Sequence, residues 1–350
     1  MPAFAQRVLR WQRQHGRKDL PWSGSRDPYR VWLSEIMLQQ TQVATVRDYY
    51  QRFVQRLPTL QALADAPLDE VLALWSGLGY YSRARNLHRC AQQLVREHGG
   101  EFPRSAQALE KLPGIGRSTA AAIAAFCWGE RVAILDGNVK RVLTRALGFA
   151  ADLSLAANER ALWQQAQALL PAHGIEDYTQ GLMDLGATLC SVRQPDCARC
   201  PLQPLCVARR EGKVHAYPVK TRRTRRGARC HALLWLQHGE GVWLVQRASH
   251  GVWAGLWSLP QFDSLEQLQQ RLQGWPGSAE TLPAVEHALT HFDWTLQPLR
   301  WRLPARLGAR RIETLSAALP AGRWISVDQA LQLGLPAPVR KLLSGPPPAR

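Results

Sequence analysis

Four of the seven cysteines lie in one short segment, and their spacing could hold a metal group. The pattern is Cys190-x6-Cys197-x2-Cys200-x5-Cys206. Zinc sites of four cysteines usually pair two C-x2-C motifs, and only one such motif occurs in this segment. Loops of unequal length that converge on one compact point suit an iron–sulfur cube better. We therefore predict one [4Fe–4S] cluster per chain, with zinc as the alternative.

Acidic residues are scarce, and Glu35 stands in the apolar stretch VWLSEIMLQQTQ. Gln39 and Gln42 follow at i+4 and i+7, which predicts a Glu-Gln-Gln face on one helix. A partly desolvated carboxyl there has a raised pKa and can act as a general acid near neutral pH. On periodicity alone, a solvent-facing glutamate is the stronger interpretation.

Asp136 follows an apolar run in AILDGNVKR and comes just before another predicted helix. The ordinary role of an aspartate at this place is a helix N-cap. Helix amides bonded to the carboxylate would keep it ionised, with a lowered pKa. One raised and one lowered carboxyl form the pair that cleaves glycosidic bonds through an oxocarbenium-like transition state.

The stretch LPGIGRSTA predicts a turn between two helices, the second beginning at about Ser118. Gly114 and Gly116 allow positive φ and let a partner approach the backbone closely. Amides at the start of the next helix then form a phosphate site. An ordinary helix–helix turn with a C-cap glycine is the alternative. The strongly basic composition favours phosphate binding.

The whole chain of 350 residues has a formal net charge of +17, from 44 Lys and Arg against 27 Asp and Glu. An excess this large favours nucleic acid over an anionic membrane as the partner. We find no apolar run long enough to span a bilayer and no signal peptide, so we predict a soluble, intracellular protein, cytoplasmic and associated with the nucleoid. The odd number of cysteines argues against a disulfide framework.

Apolar periodicity predicts that residues 1–208 are almost entirely helical. Residues 209–229 carry nine Lys or Arg against one Glu and predict a basic linker that tracks DNA. Residues 230–350 mix both patterns: HALLWLQ and GVWLVQR predict a β-hairpin, and SLEQLQQRLQ predicts a helix. The chain is therefore predicted to be multidomain, with an α/β or α+β second domain.

Together these residues resemble the helix-hairpin-helix, iron–sulfur family of DNA glycosylases. The resemblance covers nearly the whole chain and rests on PWSGSRDPYRVWLSEIMLQQTQV, LWSGLGYYSRARNL, LPGIGRSTA, ILDGNVKR, MDLGA and the four-cysteine loop. It implies an all-α helix-hairpin-helix glycosylase domain with a cluster loop at 190–206, followed by a C-terminal α+β Nudix-like domain.

The resemblance also implies an activity: a monofunctional hydrolase that excises adenine opposite 8-oxoguanine or guanine and leaves an abasic site. Glu35 would protonate the adenine, and Asp136 would stabilise the sugar cation. Ser118 occupies the place where strand-cleaving relatives carry a lysine, and a serine cannot form a Schiff base. Gln180 would support the active site.

The expected partner is double-stranded DNA, bound by a monomer, and the sequence names no protein partner. Gln40 and Tyr80 match family residues that wedge into the duplex, which flipping a base requires. The segment Leu289-Thr290-His291 stands where the family usually has Phe-Ser-His for lesion recognition. The DNA contacts that the resemblance implies are Gln40, Tyr80, Leu112, Gly114, Gly116, Thr119, Thr290 and His291.

Three other functions remain open at this point. A bifunctional pyrimidine-lesion glycosylase is disfavoured by Ser118 and Glu35. A non-catalytic, cluster-containing DNA-binding protein is disfavoured because Glu35 and Asp136 are both present. A nucleotide pyrophosphatase in the C-terminal domain is disfavoured because the acidic metal-binding box is not evident there.

Overall fold

The computed structural model describes residues 2–221 and 226–345, which form two compact units. Among the described residues, the first unit contains residues 2–65 and 86–221, and the second contains residues 66–85 and 226–345. Residues 66–85 group with the second unit, although the sequence on both sides of them belongs to the first.

The predicted domain boundaries, at 208 and 229, differ from this grouping in two respects. They place residues 209–221 in a linker, whereas these residues group with the first unit. They assign residues 66–85 to the helical domain, because helical periodicity says nothing about which neighbours a helix packs against. Residues 222–225 of the predicted linker lie outside the described residues. The predicted boundaries remain a prediction.

The described residues before 222 contain helices and turns, as the periodicity predicts. The α-helices, in chain order, are α1 Pro2–His15, α2 Pro28–Leu38, α3 Val43–Arg56, α4 Leu60–Asp65, α5 Leu68–Leu74, α6 Ser82–His98, α7 Ala106–Leu109, α8 Arg117–Trp128, α9 Gly137–Leu147, α10 Ala156–Ala168, α11 Ile175–Thr188 and α12 Val207–Arg210. Short 3-10 helices span Gln203–Leu205 and Val214–Ala216.

Local sequence fixes the ends of the helices that carry candidate residues. At α2, the Asp27 carboxylate accepts a hydrogen bond from the Tyr29 amide at 2.9 Å, and Pro28 occupies the first turn. At α9, the Asp136 carboxylate accepts from the Val139 amide at 2.7 Å. α8 ends at Trp128 and is capped by Gly129, whose left-handed φ of 68° is readily adopted by glycine.

One apolar core joins α1, α8, α9, α10 and α11 in the first unit, with Val8, Leu143 and Leu162 fully buried. Gly186 brings α11 directly against the beginning of α9. A Cβ at Gly186 would lie 2.5 Å from the Asn138 Cβ and 3.0 Å from its backbone. The absence of a side chain at this residue therefore sets the distance between the two helices.

The second unit is built around a mixed sheet. The strands that the structure describes are β1 Gly227–His238, β2 Gly241–Gln246, β3 Trp257–Ser258, β4 Gln261–Phe262, β5 Ser278–Thr281, β6 Val285–Ala288, β7 Phe292–Arg302 and β8 Gly322–Ser326. The helices are α13 Leu265–Arg271, α14 Ala309–Ala317, α15 Val327–Leu331 and α16 Ala337–Leu343.

The central strands run in the order β3-β2-β1-β7-β5, while β4 pairs with β1, β6 with β7 and β8 with β2. β1 and β7 are parallel along Gly227–Gln237, and the other pairs are antiparallel. Alternating residues of β1, such as Leu234 and Leu236, join a core under α13 and α14. The predicted hairpin, the predicted helix α13 and the all-α and α+β fold classes are confirmed.

Two local predictions are wrong. α2 ends at Leu38 because Gln40 adopts a left-handed φ of 57°, so Gln42 caps α3 and is not on the same helical face as Glu35. Gly116 has a φ of −86°, which any residue can adopt, and only Gly114 uses the left-handed region, at 76°.

Within the described ranges, no helix is both long enough and apolar enough to cross a membrane.

Candidate active site

A cavity of about 490 Å³ opens beside α2 in the first unit. Its wall includes Gln12 of α1, Glu35 of α2, Phe126 of α8 and Gln180 of α11, with Trp22 from the loop before α2. The volume lies within the range of pockets that enclose small organic ligands. Most of the lining residues are polar or charged, and two aromatic rings, Trp22 and Phe126, add apolar surface that suits a flat, partly polar ligand.

Glu35 projects from a helix whose other residues are mostly buried, and its own side chain is half-buried. Burial, with a smaller contribution from the negative charge of Asp136, raises the pKa of Glu35 from 4.5 to about 8. At neutral pH the carboxyl therefore carries a proton that it can donate. The charge of Asp136 thus acts on Glu35, although the two residues are a hundred positions apart in the sequence.

Asp136 is the N-cap of α9 and is half-buried. Burial raises the pKa of its carboxyl, whereas hydrogen bonds from the Val139 and Asn138 amides and the charges of Arg141 and Lys140 lower it. Burial is the larger effect, so the predicted lowering of the Asp136 pKa is wrong. Asp136 is not one of the described residues that line the cavity. It acts on Glu35 through its negative charge.

Gln180 is held by a buried ion pair behind the cavity. Its side-chain amide nitrogen donates to Asp184 Oδ1 at 2.9 Å, and Asp184 is fully buried. Arg17 Nη2 lies 2.6 Å from the same oxygen, and the Arg17 backbone amide donates to Oδ2 at 2.9 Å. A carboxylate only accepts, so it fixes which end of the Gln180 amide faces it and turns the carbonyl end away.

The predicted phosphate turn lies between α7 and α8. Gly114 is needed in two ways: its φ is left-handed, and a Cβ there would lie 2.7 Å from the Asn86 Cβ. Leu112 and Thr119 have buried side chains, and the Thr119 hydroxyl accepts from Gln39 at 3.2 Å. Any contact of Thr119 with DNA would therefore be made by its backbone, in the first turn of α8, where the amides have no partner within the helix. The Leu112 amide already donates to the Leu109 carbonyl at 3.0 Å.

Ser118 lies in the first turn of α8 and is half-buried. Among the described residues that line the cavity, it is absent. Ser118 lies just after the Gly114 turn, on the same helix that supplies Phe126 to the cavity wall.

The other candidate DNA contacts are exposed. Gln40 of the first unit and Tyr80 of the second both adopt left-handed φ values, 57° and 47°. Tyr80 is 49% exposed, which is unusual for a large ring. Thr290 and His291 are exposed in the turn between β6 and β7, which is closed by the Leu289 amide bonding to the Phe292 carbonyl.

The four clustered cysteines line one small cavity between the cysteine loop and α9, with Val142, Leu185 and Leu202 among its apolar wall residues. None of the four forms a disulfide, and all four are half-buried. The Arg145 guanidinium, which is buried, donates to Cys190 Sγ at 3.3 Å.

Burial and the neighbouring cysteines raise the pKa of Cys200 to about 11, so a metal would have to displace protons on binding. Across the described residues, no group of three His, Cys, Asp or Glu is arranged to hold a single metal ion. Four sulfur atoms around one apolar cavity, with a cation beside one of them, nevertheless fit the donor set of an iron–sulfur group.

Sequence analysis missed Asp184 and Arg17. The available signal was Asp184 itself, an acidic residue within the apolar helix that contains MDLGA and four positions after Gln180. A buried carboxylate at that spacing predicts a partner on the same helical face. Gln12 also lines the cavity, and nothing in the pattern of α1 distinguishes it.

Comparison with protein families matches residues 33–167 to the HhH-GPD superfamily of base excision DNA repair proteins and residues 231–345 to the NUDIX domain. The adenine DNA glycosylase of Buchnera aphidicola (subspecies Acyrthosiphon pisum) is 36% identical over 97% of this chain and 96% of its own. The adenine DNA glycosylase of Homo sapiens is 36% identical over 93% of this chain and 71% of its own.

Among solved structures, a thermostable thymine-DNA glycosylase is 31% identical with a TM-score of 0.54, covering 59% of this chain and 95% of its own. A non-covalent endonuclease III–DNA complex is 23% identical with a TM-score of 0.50, covering 60% of this chain and 94% of its own. The second likeness concerns the fold alone.

Proposed function

Because the chain belongs to the adenine DNA glycosylase family of base excision repair, we propose that it hydrolyses the N-glycosidic bond of adenine paired with 8-oxoguanine or guanine in double-stranded DNA. One observation carries the proposal: Glu35, protonated at neutral pH, lines a cavity of about 490 Å³, and the charge of Asp136 contributes to its raised pKa. Glycosidic bonds are broken by this pairing of a proton donor with a second carboxylate.

The first half of the chemistry is proton donation. An adenine inside the duplex cannot reach a protein group, so it must first be extruded into the cavity. Glu35 then donates its proton to a ring nitrogen of the adenine, which makes the base a better leaving group. A pKa of about 8 suits this role, since a general acid works best with a pKa near the working pH.

The second half is stabilisation of the sugar. As the base leaves, positive charge develops on the deoxyribose, and ionised Asp136 stabilises that charge. Burial raises the pKa of Asp136, whereas the amides of α9 and the nearby cations Arg141 and Lys140 oppose this rise and favour the ionised form. Water then adds to the sugar, and the product is an abasic site.

The proposed reaction is monofunctional. Ser118 in the first turn of α8 has no amine, so it cannot attack the sugar to form a Schiff base or cut the strand. The strand therefore stays intact until alkali or another enzyme acts on the abasic site.

Gln180 supports the choice of adenine. Its carbonyl end, turned away from Asp184, can accept a hydrogen bond from the exocyclic amine of adenine. Guanine carries a carbonyl oxygen at the corresponding ring position, so it would set two acceptors against each other. Such a mismatch of buried polar groups is strongly disfavoured.

Several exposed residues are proposed to bind the duplex. The turn at Gly114 and Gly116 contacts a backbone phosphate, and Gln40 and Tyr80 enter the base stack. Thr290 and His291 contact the base opposite the adenine, with the threonine hydroxyl as a donor. The protein is proposed to act as a monomer.

The four clustered cysteines are proposed to hold one [4Fe–4S] cluster. When bound, it would supply iron–thiolate bonds that close the cysteine loop, and none of the steps above depends on electron transfer. The protein purified under anaerobic conditions should contain about four irons per chain and absorb near 400 nm. Zinc as the only metal in such a preparation would contradict the assignment.

The test of the function uses a labelled duplex with adenine opposite 8-oxoguanine. The protein should produce cleavage only after hot alkali is added. Glu35→Gln, which keeps the shape and removes the ionisable proton, should lose at least about a hundredfold in rate, since general acid catalysis contributes about 10²–10⁴-fold. The variant should still bind the duplex.

Each other outcome points to a different function. A strand nick before alkali, or borohydride trapping that depends on Ser118, would indicate a bifunctional enzyme. Excision by Glu35→Gln at the wild-type rate would show that another group donates the proton. Binding without excision by the wild-type protein would indicate a DNA-binding protein without catalytic activity.

A further inference from the structure

The exposed ring of Tyr80 sits on a turn that is unfavourable for an isolated chain. The turn spans residues 77–81, and Gly77, Gly79 and Tyr80 have φ values of 103°, 72° and 47°. A tyrosine in the left-handed region is disfavoured because its Cβ approaches the backbone. Groups outside the turn must therefore hold it in this conformation.

One set of such groups comes from the chain between α15 and α16. The Tyr81 hydroxyl donates to the Leu335 carbonyl at 2.9 Å and accepts from the Gly77 amide at 3.2 Å. The Ser76 hydroxyl donates to the same Leu335 carbonyl at 3.0 Å. Tyr81, at the end of the turn, and Ser76, just before it, thus both bond to one carbonyl group of the C-terminal chain.

Arg340 of α16 bonds both to Ser76 and to the chain just before Leu335. Its Nε donates to Ser76 Oγ at 3.1 Å, and its Nη1 and Nη2 donate to the carbonyls of Leu331 and Leu333 at 2.7 and 3.0 Å. A half-buried guanidinium that uses three of its nitrogens in this way has little freedom. It connects Ser76, next to the turn, with the end of α15.

The rest of residues 66–85 also packs on the C-terminal chain. Gly334 lies against α5, where a Cβ would come within 2.8 Å of the Leu72 Cβ. Asp69 accepts hydrogen bonds from Trp257 Nε1 at 3.2 Å and Gln246 Nε2 at 3.0 Å, and Arg85 donates to the Ala254 carbonyl at 2.9 Å. These contacts explain why the segment groups with the second unit.

We propose that the C-terminal chain of the second unit holds the 77–81 turn in the conformation that presents Tyr80 to DNA, and that Arg340 and Tyr81 are positioning residues for Tyr80. The C-terminal chain then has a second role, separate from contacting the base opposite the adenine. The role of Tyr80 in this inference rests on the proposed function. The hydrogen bonds of Ser76, Tyr81 and Arg340 that hold the turn, called the brace below, do not depend on it.

The brace is tested first without DNA, by amide hydrogen exchange in the free protein. Arg340→Ala removes the guanidinium, and Tyr81→Phe removes only the hydroxyl, so the ring still packs. Both variants should increase exchange in peptides that cover residues 77–81 by about tenfold or more, while exchange in peptides of the second unit outside residues 77–81 and 331–340 stays unchanged. Lys341→Ala, one residue along α16 and exposed, removes the same charge and should have no effect.

The consequence for the reaction is tested with a double-mutant cycle. Arg340→Ala should lower the single-turnover rate of adenine excision about tenfold, because displacing a positioned group by about 1 Å can cost more than that. In a Tyr80→Ala background the same change should have no further effect, since the group it positions is gone. A general loss of stability would lower the rate equally in both backgrounds.

The possible failures are distinguishable. Unchanged exchange at residues 77–81 in both Arg340→Ala and Tyr81→Phe would overturn the brace, whatever the activity. Increased exchange with an unchanged excision rate would show that the brace does not serve Tyr80. Absence of excision by the wild-type protein would overturn the proposed function, and the role in excision would fall with it. If Arg340→Ala does not fold, Tyr81→Phe decides alone.

Discussion

Glu35 owes its proton to burial more than to its charged neighbour. Loss of hydration is the larger cause of its raised pKa, and the charge of Asp136 adds to it. The carboxyl nevertheless lies in the wall of an open cavity, where a ligand can reach it. This combination of desolvation and access distinguishes a proton donor from a structural carboxyl.

The pH dependence of excision should follow from this residue. At limiting DNA concentration the excision rate should fall about tenfold per pH unit above pH 8, because the deprotonated fraction of Glu35 increases there. DNA binding by Glu35→Gln, measured over the same range, is the control and should not show this step. An excision rate that stays level to pH 10 would contradict the assignment of Glu35 as the acid.

Glu35 should also affect stability in a pH-dependent way. Its pKa is about 8 in the folded chain and near 4.5 when unfolded, so the folded state binds more protons and stability is lost as pH rises between these values. Glu35→Gln should therefore stabilise the protein at pH 9 and have little effect at pH 4.5. The upper limit of the gain is about 5 kcal/mol, at about 1.4 kcal/mol per pKa unit.

Denaturant unfolding of both proteins at the two pH values measures this difference. A gain of equal size at both pH values would mean that packing, and not ionisation, accounts for it.

For single residues, the sequence predicted the local structural role better than the direction of the pKa shift. The N-cap role of Asp136 follows from its place before GNVKR, and the structure confirms it. The sign of its pKa shift depends on how deeply the cap is buried, which is decided by α11 and other distant parts of the chain. Asp184 was missed for the same reason, since its importance comes from Arg17, 167 residues away.

The junction of α9 and α11 is the element that positions the candidate site. Asp136 caps α9, Gln180 projects from α11, and Gly186 lets the two helices touch. Arg141 ties the junction to the cysteine loop, because its guanidinium donates to the carbonyls of Gly186 and Cys190 at 2.6 and 2.7 Å. A small displacement of α11 would therefore move Gln180 directly and Asp136 through the contact with α9.

Gly186→Ala should expose this dependence. The added methyl group would lie 2.5 Å from the Asn138 Cβ and must push α11 away from the start of α9. We expect a loss of stability of about 1–3 kcal/mol, as for overpacked cores, together with slower excision. Gly137→Ala is the matched control, because a Cβ there meets nothing within 4 Å. Equal melting temperatures for the two variants would contradict the close packing.

Helices and strands with regular apolar patterns were predicted well, as α2, α13 and the β1–β2 hairpin show. The ends of elements were predicted less well: α2 stops at Leu38 because Gln40 turns left-handed, which no residue type at this place indicates. The grouping of α5 with the C-terminal unit was also outside the reach of local patterns. It depends on Gly334 and Arg340, more than 250 residues later in the chain.

The net charge of +17 belongs to the molecule as a whole and should govern how it binds DNA. Each phosphate that a Lys or Arg neutralises releases counterions, so affinity should fall steeply with salt. Between 50 and 200 mM salt we expect the affinity for a duplex to fall by about 10³-fold or more if six or more phosphates are contacted. A duplex with an ordinary A·T pair provides the comparison and should show a similar slope. A flat salt dependence would contradict binding through phosphates.

The placement of residues 66–85 has a consequence for how the protein is made. These residues leave the ribosome early, but Arg340 is synthesised about 255 residues later, which takes roughly 13–50 s at 5–20 residues per second. During that interval the nascent chain carries α5 and the Tyr80 turn without the surface that covers them. The second unit therefore cannot finish folding until α16 has been synthesised. A chain truncated before α16 would leave residues 66–85 without these contacts.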